Sequence, residues 1–156
     1  MKLRPNEKRY WEAYVKTLSR DARPKSPNVV AEFAGSREIT DDLIALYLSG
    51  KKTAGSSIEE DFISAGDDPP KIGNFWIVLN STETPSCILK TEKIVRHKFR
   101  DVPVGIAMAE GEGDLTLEYW RRVHKEFYSP YLKKWGLESI EDATVITEFF
   151  TLVYAE

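Results

Sequence analysis

Cysteine occurs once in this sequence, at Cys87, so no disulfide framework and no cysteine-rich zinc site can be built within one chain. The residue sits in the apolar run Cys87-Ile88-Leu89 and reads as a buried thiol. Long hydrophobic runs are also missing. The N-terminal stretch lacks the apolar segment of a signal peptide, and no later run approaches the length of a membrane span, so a cytoplasmic location is expected. A basic excess is lacking too: the formal net charge is -3, which removes the simplest argument for generic phosphate binding and leaves only local basic surface. Lys90, Lys93, Arg96, His97, Lys98 and Arg100 form one such run, with Arg121, Arg122 and Lys125 a second and Lys133-Lys134 a third. Internal repeats, low-complexity tracts and zinc spacings such as HExxH are absent, and no Ser-His-Asp set can be assembled.

What remains is a chain of 156 residues, long enough for one domain with its own core. Tyr10, Trp11, Tyr14, Val15 and Leu18 lie at helical spacing and predict a first helix over about residues 7–20, ending before the loop Arg23 to Asn28. Thr40 offers an N-cap, Asp41 and Asp42 suit a first turn, and Gly50 closes a second helix. Small polar residues from Lys51 to Ser57 predict an extended segment, and Phe62-Ile63 a short helix. Strands are predicted over Phe75 to Leu79 and Ser86 to Thr91, joined as a hairpin, with a basic, partly alternating stretch to Phe99. A short helix or turn covers Val102 to Ala109, a longer helix starts at Thr116 and ends near Pro130, and Thr144 to Tyr154 reads as a long last strand. The interspersed order lacks βαβ regularity. It predicts an α+β fold: a small mixed, mostly antiparallel sheet or barrel flanked by helices, in a single domain spanning 1–156.

Three segments could carry chemistry. Gly50-Lys51-Lys52-Thr53 lacks the upstream glycine of a phosphate-binding loop and follows a helix instead of a strand, which excludes a nucleoside triphosphatase. Ala109-Glu110-Gly111-Glu112-Gly113-Asp114 sets three carboxylates on alternate residues between conformationally free glycines. Such a loop can supply a general acid or base, or oxygens for Mg²⁺ or Mn²⁺, while Asp114 also suits the start of the helix that follows. Trp120, Arg121 and His124 can present a ring, a guanidinium and an imidazole on neighbouring strips of one helix, a combination suited to a nucleotide. Ser129 can approach the same cleft if the helix ends near Pro130.

Together, Gly50-Lys51-Lys52-Thr53-Ala54, Lys71-Ile72-Gly73, Glu110-Gly111-Glu112-Gly113-Asp114 and Trp120-Arg121-Arg122-Val123-His124 resemble the ASCH domain family in its larger bacterial branch, over about residues 33–154. The resemblance implies a PUA-like β-barrel with helices around it and RNA or a nucleoside as partner. It also implies one of two activities: a metal-dependent ribonuclease using Mg²⁺ or Mn²⁺, or an amidohydrolase acting on N4-acylated cytidine. The family signature G-x-K-x-x-x-x-R places its glycine on Gly50 and its lysine on Lys52, but its arginine position falls on Ser57. The glutamate of the amidohydrolase site maps onto Glu112, whereas its nucleophilic threonine maps onto Gly55, with Thr53 and Ser56 as neighbours. The expected catalytic residues are therefore Lys52, Glu112 and Thr53, and the expected binding residues Tyr47, Gly50, Arg121, His124 and Ser129, with no dedicated metal ligands. A non-catalytic module binding RNA or a modified nucleoside is the alternative. Oligomeric state is left open.

Overall fold

The computed structural model describes residues 2–155. Helix α1 (Pro5–Lys16) begins earlier than its apolar spacing predicts. Pro5 suits the first helical position, and the Arg4 backbone N–H donates to Glu7 Oε1 at 3.0 Å, so the start is held from before the apolar stripe. It also stops sooner: the Thr17 hydroxyl donates to Tyr14 O at 2.6 Å, and a short 3-10 turn follows at Arg20–Ala22. Strand β1 (Val29–Phe33) comes next, a segment the sequence pattern did not mark. Helix α2 (Thr40–Ser49) ends on Gly50 at φ 80, as its glycine foretells. Thr40 does not serve as the cap, which falls on Ile39; its buried hydroxyl accepts from Ala34 N at 2.9 Å and donates to Leu79 O at 2.7 Å.

The remaining elements are β2 (Ala54–Ile58), α3 (Glu59–Ala65), β3 (Phe75–Leu79), β4 (Pro85–Lys98), α4 (Val104–Glu110), α5 (Leu117–Tyr128) and β5 (Thr144–Ala155). The strands form one five-stranded sheet in the order β1-β3-β4-β5-β2. β1 runs parallel to β3, while β3 with β4 and β2 with β5 are antiparallel, so the sheet is mixed and the fold is α+β. Among the described residues no helix is long and apolar enough to cross a membrane.

Two compact units divide the chain. The first comprises Met1–Gly50, Ile72–Glu92 and Phe150–Glu156. Its strand residues alternate between faces, as a period of two requires. Phe75, Ile77 and Leu79 join Trp11 and Tyr14 in one cluster, while Val78 and Cys87 join Ile44 and Tyr47 in another. Burial pushes the Cys87 thiol up to about 12, which keeps it protonated and unreactive. Tyr47 is buried in this unit, edge-on to Trp76 and Phe150.

The second unit comprises Lys51–Lys71 and Lys93–Phe149. Its core gathers Ile58, Phe99, Val102, Ile106, Trp120, Ile140 and Val145. The Thr116 hydroxyl caps α5 by accepting from Tyr119 N at 3.1 Å, and Asp114 Oδ1 accepts in turn from Thr116 N at 3.0 Å. Asp114 thus serves the helix start.

Candidate functional site

The candidate site lies within the second unit and is organised by the end of α4. That helix closes on Gly111 at φ 67, where the Gly111 N–H bonds back to Ala107 O at 3.3 Å. A Cβ on Gly111 would stand 2.0 Å from the Lys51 carbonyl oxygen, so only glycine lets the 51–53 turn lie against this helix end. Thr53 completes the junction, its N–H donating to Ala109 O at 2.7 Å and its hydroxyl to the same oxygen at 3.2 Å. Lys52 is thereby carried to the carbonyl end of α4, where the helix dipole favours a cation.

Lys52 is buried, and its Nζ donates to Glu112 Oε2 at 2.9 Å and to Glu110 O at 3.3 Å, with Glu110 Oε1 at 3.5 Å. The two carboxylates differ sharply. The Glu112 side chain keeps 35% of its exposure, whereas that of Glu110 keeps 3%. Glu110 Oε2 accepts from Ser56 Oγ at 2.8 Å and from the Trp120 indole N–H, and Ser56 Oγ also meets Thr147 Oγ1 at 2.9 Å. Ser56 and Thr147 face each other because they are register partners across β2 and β5. Every oxygen of the buried carboxylate is thus met by a donor or a cation, which burial demands.

Helix α5 supplies the remaining wall through Trp120, His124 and Tyr128, spaced at i, i+4 and i+8. The His124 ring stacks on Trp120, with centroids 4.1 Å apart and planes 19° from parallel. Its Nδ1 lies 2.7 Å from Trp120 O, and because a carbonyl only accepts, Nδ1 carries the proton of that bond. Nε2 lies 3.6 Å from Glu110 Oε1, beyond hydrogen-bond distance. The Tyr128 hydroxyl donates to Ser56 O at 3.2 Å.

Burial alone would raise the Glu110 carboxyl; His124, the Lys52 ammonium and the Trp120 N–H outweigh it and hold the group low, at about 2. Burial, followed by the charges of Glu110, Asp61 and Glu112, raises the Tyr128 phenol. A small pocket opens beside these groups, lined by Ala107, Glu110, Glu112, Tyr119, Trp120 and His124, together with Val123. Its cavity of about 10 Å³ is close to the room that one water occupies.

The residues singled out from the sequence fall into two groups. Lys52, Glu112 and His124 converge on the cluster, and Thr53 stands at its edge. Gly50 is the α2 terminus and Tyr47 lies in the first unit's core. Ser129 caps α5, its hydroxyl donating to Lys125 O at 2.5 Å. The Arg121 guanidinium donates to Phe99 O at 2.9 Å and Arg100 O at 2.7 Å, which ties it to the chain preceding α4. Trp120 has one face on His124 and its ring 5.3 Å from that of Phe99, so stacking a base on it would require displacing a neighbour. Pattern reading missed Ser56, Thr147 and Tyr128, and it ranked Glu112 above Glu110. A strand hydroxyl among buried neighbours was the signal available for Ser56 and Thr147. For Glu110 the signal was its place as last residue of an apolar helix.

A divalent ion fits poorly. Among the described residues no three His, Cys, Asp or Glu side chains are grouped to hold one, and the Glu110 oxygens are already engaged by Ser56, Trp120 and the Lys52 ammonium.

The model of the ASCH domain matches residues 31–154. The chain belongs to the ASCH domain family. An ASCH domain from Lactobacillus crispatus JV V101 superposes with a TM-score of 0.89 at 26% identity, covering 99% of this chain and 98% of that one. Protein EF3133 from Enterococcus faecalis V583 follows with a TM-score of 0.77 and 26% identity, over 94% of this chain and 87% of that one. No curated protein sequence matches. ASCH domains are generally RNA-associated, and their barrel-like α+β fold is shared by this chain.

Proposed function

We propose that this ASCH domain binds RNA at the Lys52–Glu110–Glu112 cluster and hydrolyses a phosphodiester bond there. The observation that carries the reading is the 2.9 Å contact between the buried Lys52 ammonium and the half-exposed Glu112 carboxylate at the edge of a small pocket. Paired charges at a pocket, beside the strongly lowered Glu110 carboxyl, support a site reading. Glu112 takes the proton of the attacking water, and Lys52 meets the negative charge that builds on the phosphoryl oxygens. Glu110 stays ionised and positions Lys52. The chain's formal charge of -3 falls wholly in the second unit, the first being balanced, so RNA contact rests on a few local groups.

Labelled single-stranded RNA incubated with wild type, Lys52→Met and Glu112→Gln, with and without EDTA, tests the reading. Each substitution should slow cleavage by about 10²–10³-fold, the usual loss for one charge-stabilising group. Equal cleavage by all three proteins would overturn it.

A second reading, a non-catalytic module for RNA or a modified nucleoside, draws on the engagement of Lys52 by Glu110 O as well as by both carboxylates. It predicts calorimetric binding without product. Amidohydrolysis of an acylated cytidine has less support, because Gly55 supplies no hydroxyl and the Ser56 hydroxyl is held by Glu110 and Thr147.

A further inference from the structure

We infer that Phe127 and Tyr131 form a stacking platform for the bases of single-stranded RNA, with Lys125, Lys133 and Lys134 beside it for the phosphates. The inference rests on the RNA-binding half of the reading above and is independent of hydrolysis. The pocket itself has no place for a base. Its cavity of about 10 Å³ has room for one water, and the Trp120 ring lies against both His124 and Phe99. The bases of a strand whose backbone reaches the pocket must rest outside it.

Two rings stand open there. Phe127, in the last turn of α5, is 58% exposed, and Tyr131, in the 3-10 turn that follows, is 44% exposed. The ring contact of Phe127 is with Tyr128, at 5.3 Å and 79° between planes, so among the described residues no ring lies parallel to it. Tyr131 stacks on Trp135 at 5.7 Å and 22°, which leaves its other face without a ring partner among those residues. Trp135 is fixed in turn, its indole N–H donating to Asp61 Oδ1 at 3.0 Å and its ring 5.8 Å from that of Tyr128. A platform held in this way loses little freedom when a base settles on it. Tyr128 also joins the platform to the site, because its ring lies 5.9 Å from that of His124 in the pocket wall.

Charge selects the occupant. From Arg122 to Lys134 four basic side chains stand against one acidic, Glu126, a net +3 within a unit whose formal total is -3. Lys125, Lys133 and Lys134 are exposed and have no ion-pair partner among the described residues. The Trp135 N–H bonds back to Tyr131 O at 3.1 Å, a helical turn that sets Lys134 on the side of the Tyr131 ring. Besides Glu126, the acidic neighbours are Glu138 and Asp61, the latter engaged by Trp135. Flat rings flanked by unpaired ammonium groups suit unstacked bases on a phosphate chain. A duplex hides the faces of its bases, so the strand must be single.

Fluorescence anisotropy of a short labelled RNA, single-stranded and as its duplex, tests the inference over a range of salt concentrations. Phe127→Ala and Tyr131→Ala should each weaken single-strand binding about 5–100-fold, the usual loss for one base stacked on a ring. Phe127→Leu, apolar but not flat, should lose as much, while Phe127→Trp keeps wild-type affinity. The leucine variant carries the comparison if alanine disturbs the end of α5. Lys133→Gln with Lys134→Gln should flatten the slope of log K against log[salt] by about 1.4, at ~0.7 for each phosphate contact on a single strand. Undiminished binding by the alanine variants, equal affinity for the duplex, or wild-type affinity in Phe127→Leu would overturn the platform and leave RNA binding at the pocket standing. Failure of wild type to bind single-stranded RNA would overturn both.

Discussion

Glu110→Gln is the substitution that most directly probes what holds the site together. The carboxyl is held at about 2, against an ordinary value of 4.5, because donors and cations around it outweigh its burial. Its folded value lies below its unfolded one, so ionised Glu110 stabilises the protein above about pH 4.5, and the contribution is lost as pH falls towards 2. The full difference corresponds to about 3 kcal/mol, a large share of the ~5–15 kcal/mol that holds an ordinary domain together. About 2 kcal/mol of it should be gone by pH 3. Glutamine has nearly the same shape but does not titrate. Urea unfolding at pH 7, 5, 4 and 3 should therefore show wild type more stable by about 3 kcal/mol at pH 7, with the gap closing to about 1 kcal/mol at pH 3. Asp41, Asp114 and Glu38 are also lowered, by their own hydrogen bonds at exposed sites, but they are common to both proteins and cancel in the difference. Parallel stability curves for the two proteins would refute the idea that Glu110 is kept ionised by this network.

The loop that carries Glu112 yields two further expectations. Gly111→Ala would place a methyl group 2.0 Å from Lys51 O at a backbone φ of +67, and should cost about 2–4 kcal/mol in urea unfolding. Gly73→Ala, at φ +93 with open space around it, should cost only about 1 kcal/mol, and equal costs would remove the close approach as the cause. Leu115 adopts φ 66 while 42% exposed, so Leu115→Asn should gain roughly 0.5–1 kcal/mol, read as a rise of a few degrees in Tm. An unchanged or lower Tm would mean that its side chain contributes more than its backbone strain costs.

The elements that could be read from sequence are those whose signal is local. Gly50 ends α2 in the left-handed conformation, and Thr116 with Asp114 starts α5. The stripe that helical spacing predicts for α5, Leu117, Trp120, His124, Phe127 and Tyr131, holds for its first turns and then drifts. Phe127 and Tyr131 fit the spacing but are 58% and 44% exposed, whereas Tyr128, one position along, is the buried ring. At i+7 and i+8 a helical face offers both neighbours, and only packing decides between them. Strand β1 escaped notice because Val29–Phe33 is short and includes Ala31 and Glu32; its place comes from parallel pairing with β3, a contact 46 residues away at Val29↔Phe75. Arg121 looked like part of a basic surface, yet the carbonyls that occupy it come from Phe99 to Val102, which no helical spacing relates to it.

On the proposed reading, the two glutamates of the acidic loop divide stability and chemistry between neighbouring positions. They lie two residues apart with Gly111 between them, and the αL turn at Gly111 sends one inward and the other to the pocket rim. A carboxylate buried as deeply as Glu110 is stabilised only while all its partners are present, so it makes a rigid anchor and a poor base. Glu112 shares the same ammonium but keeps contact with solvent, so its loss leaves no buried group without a partner. Removing Glu110 should therefore appear first in unfolding curves and removing Glu112 first in rates. That split separates a built site from a structural ion pair, because a purely structural pair would lose stability from either side and rate from neither.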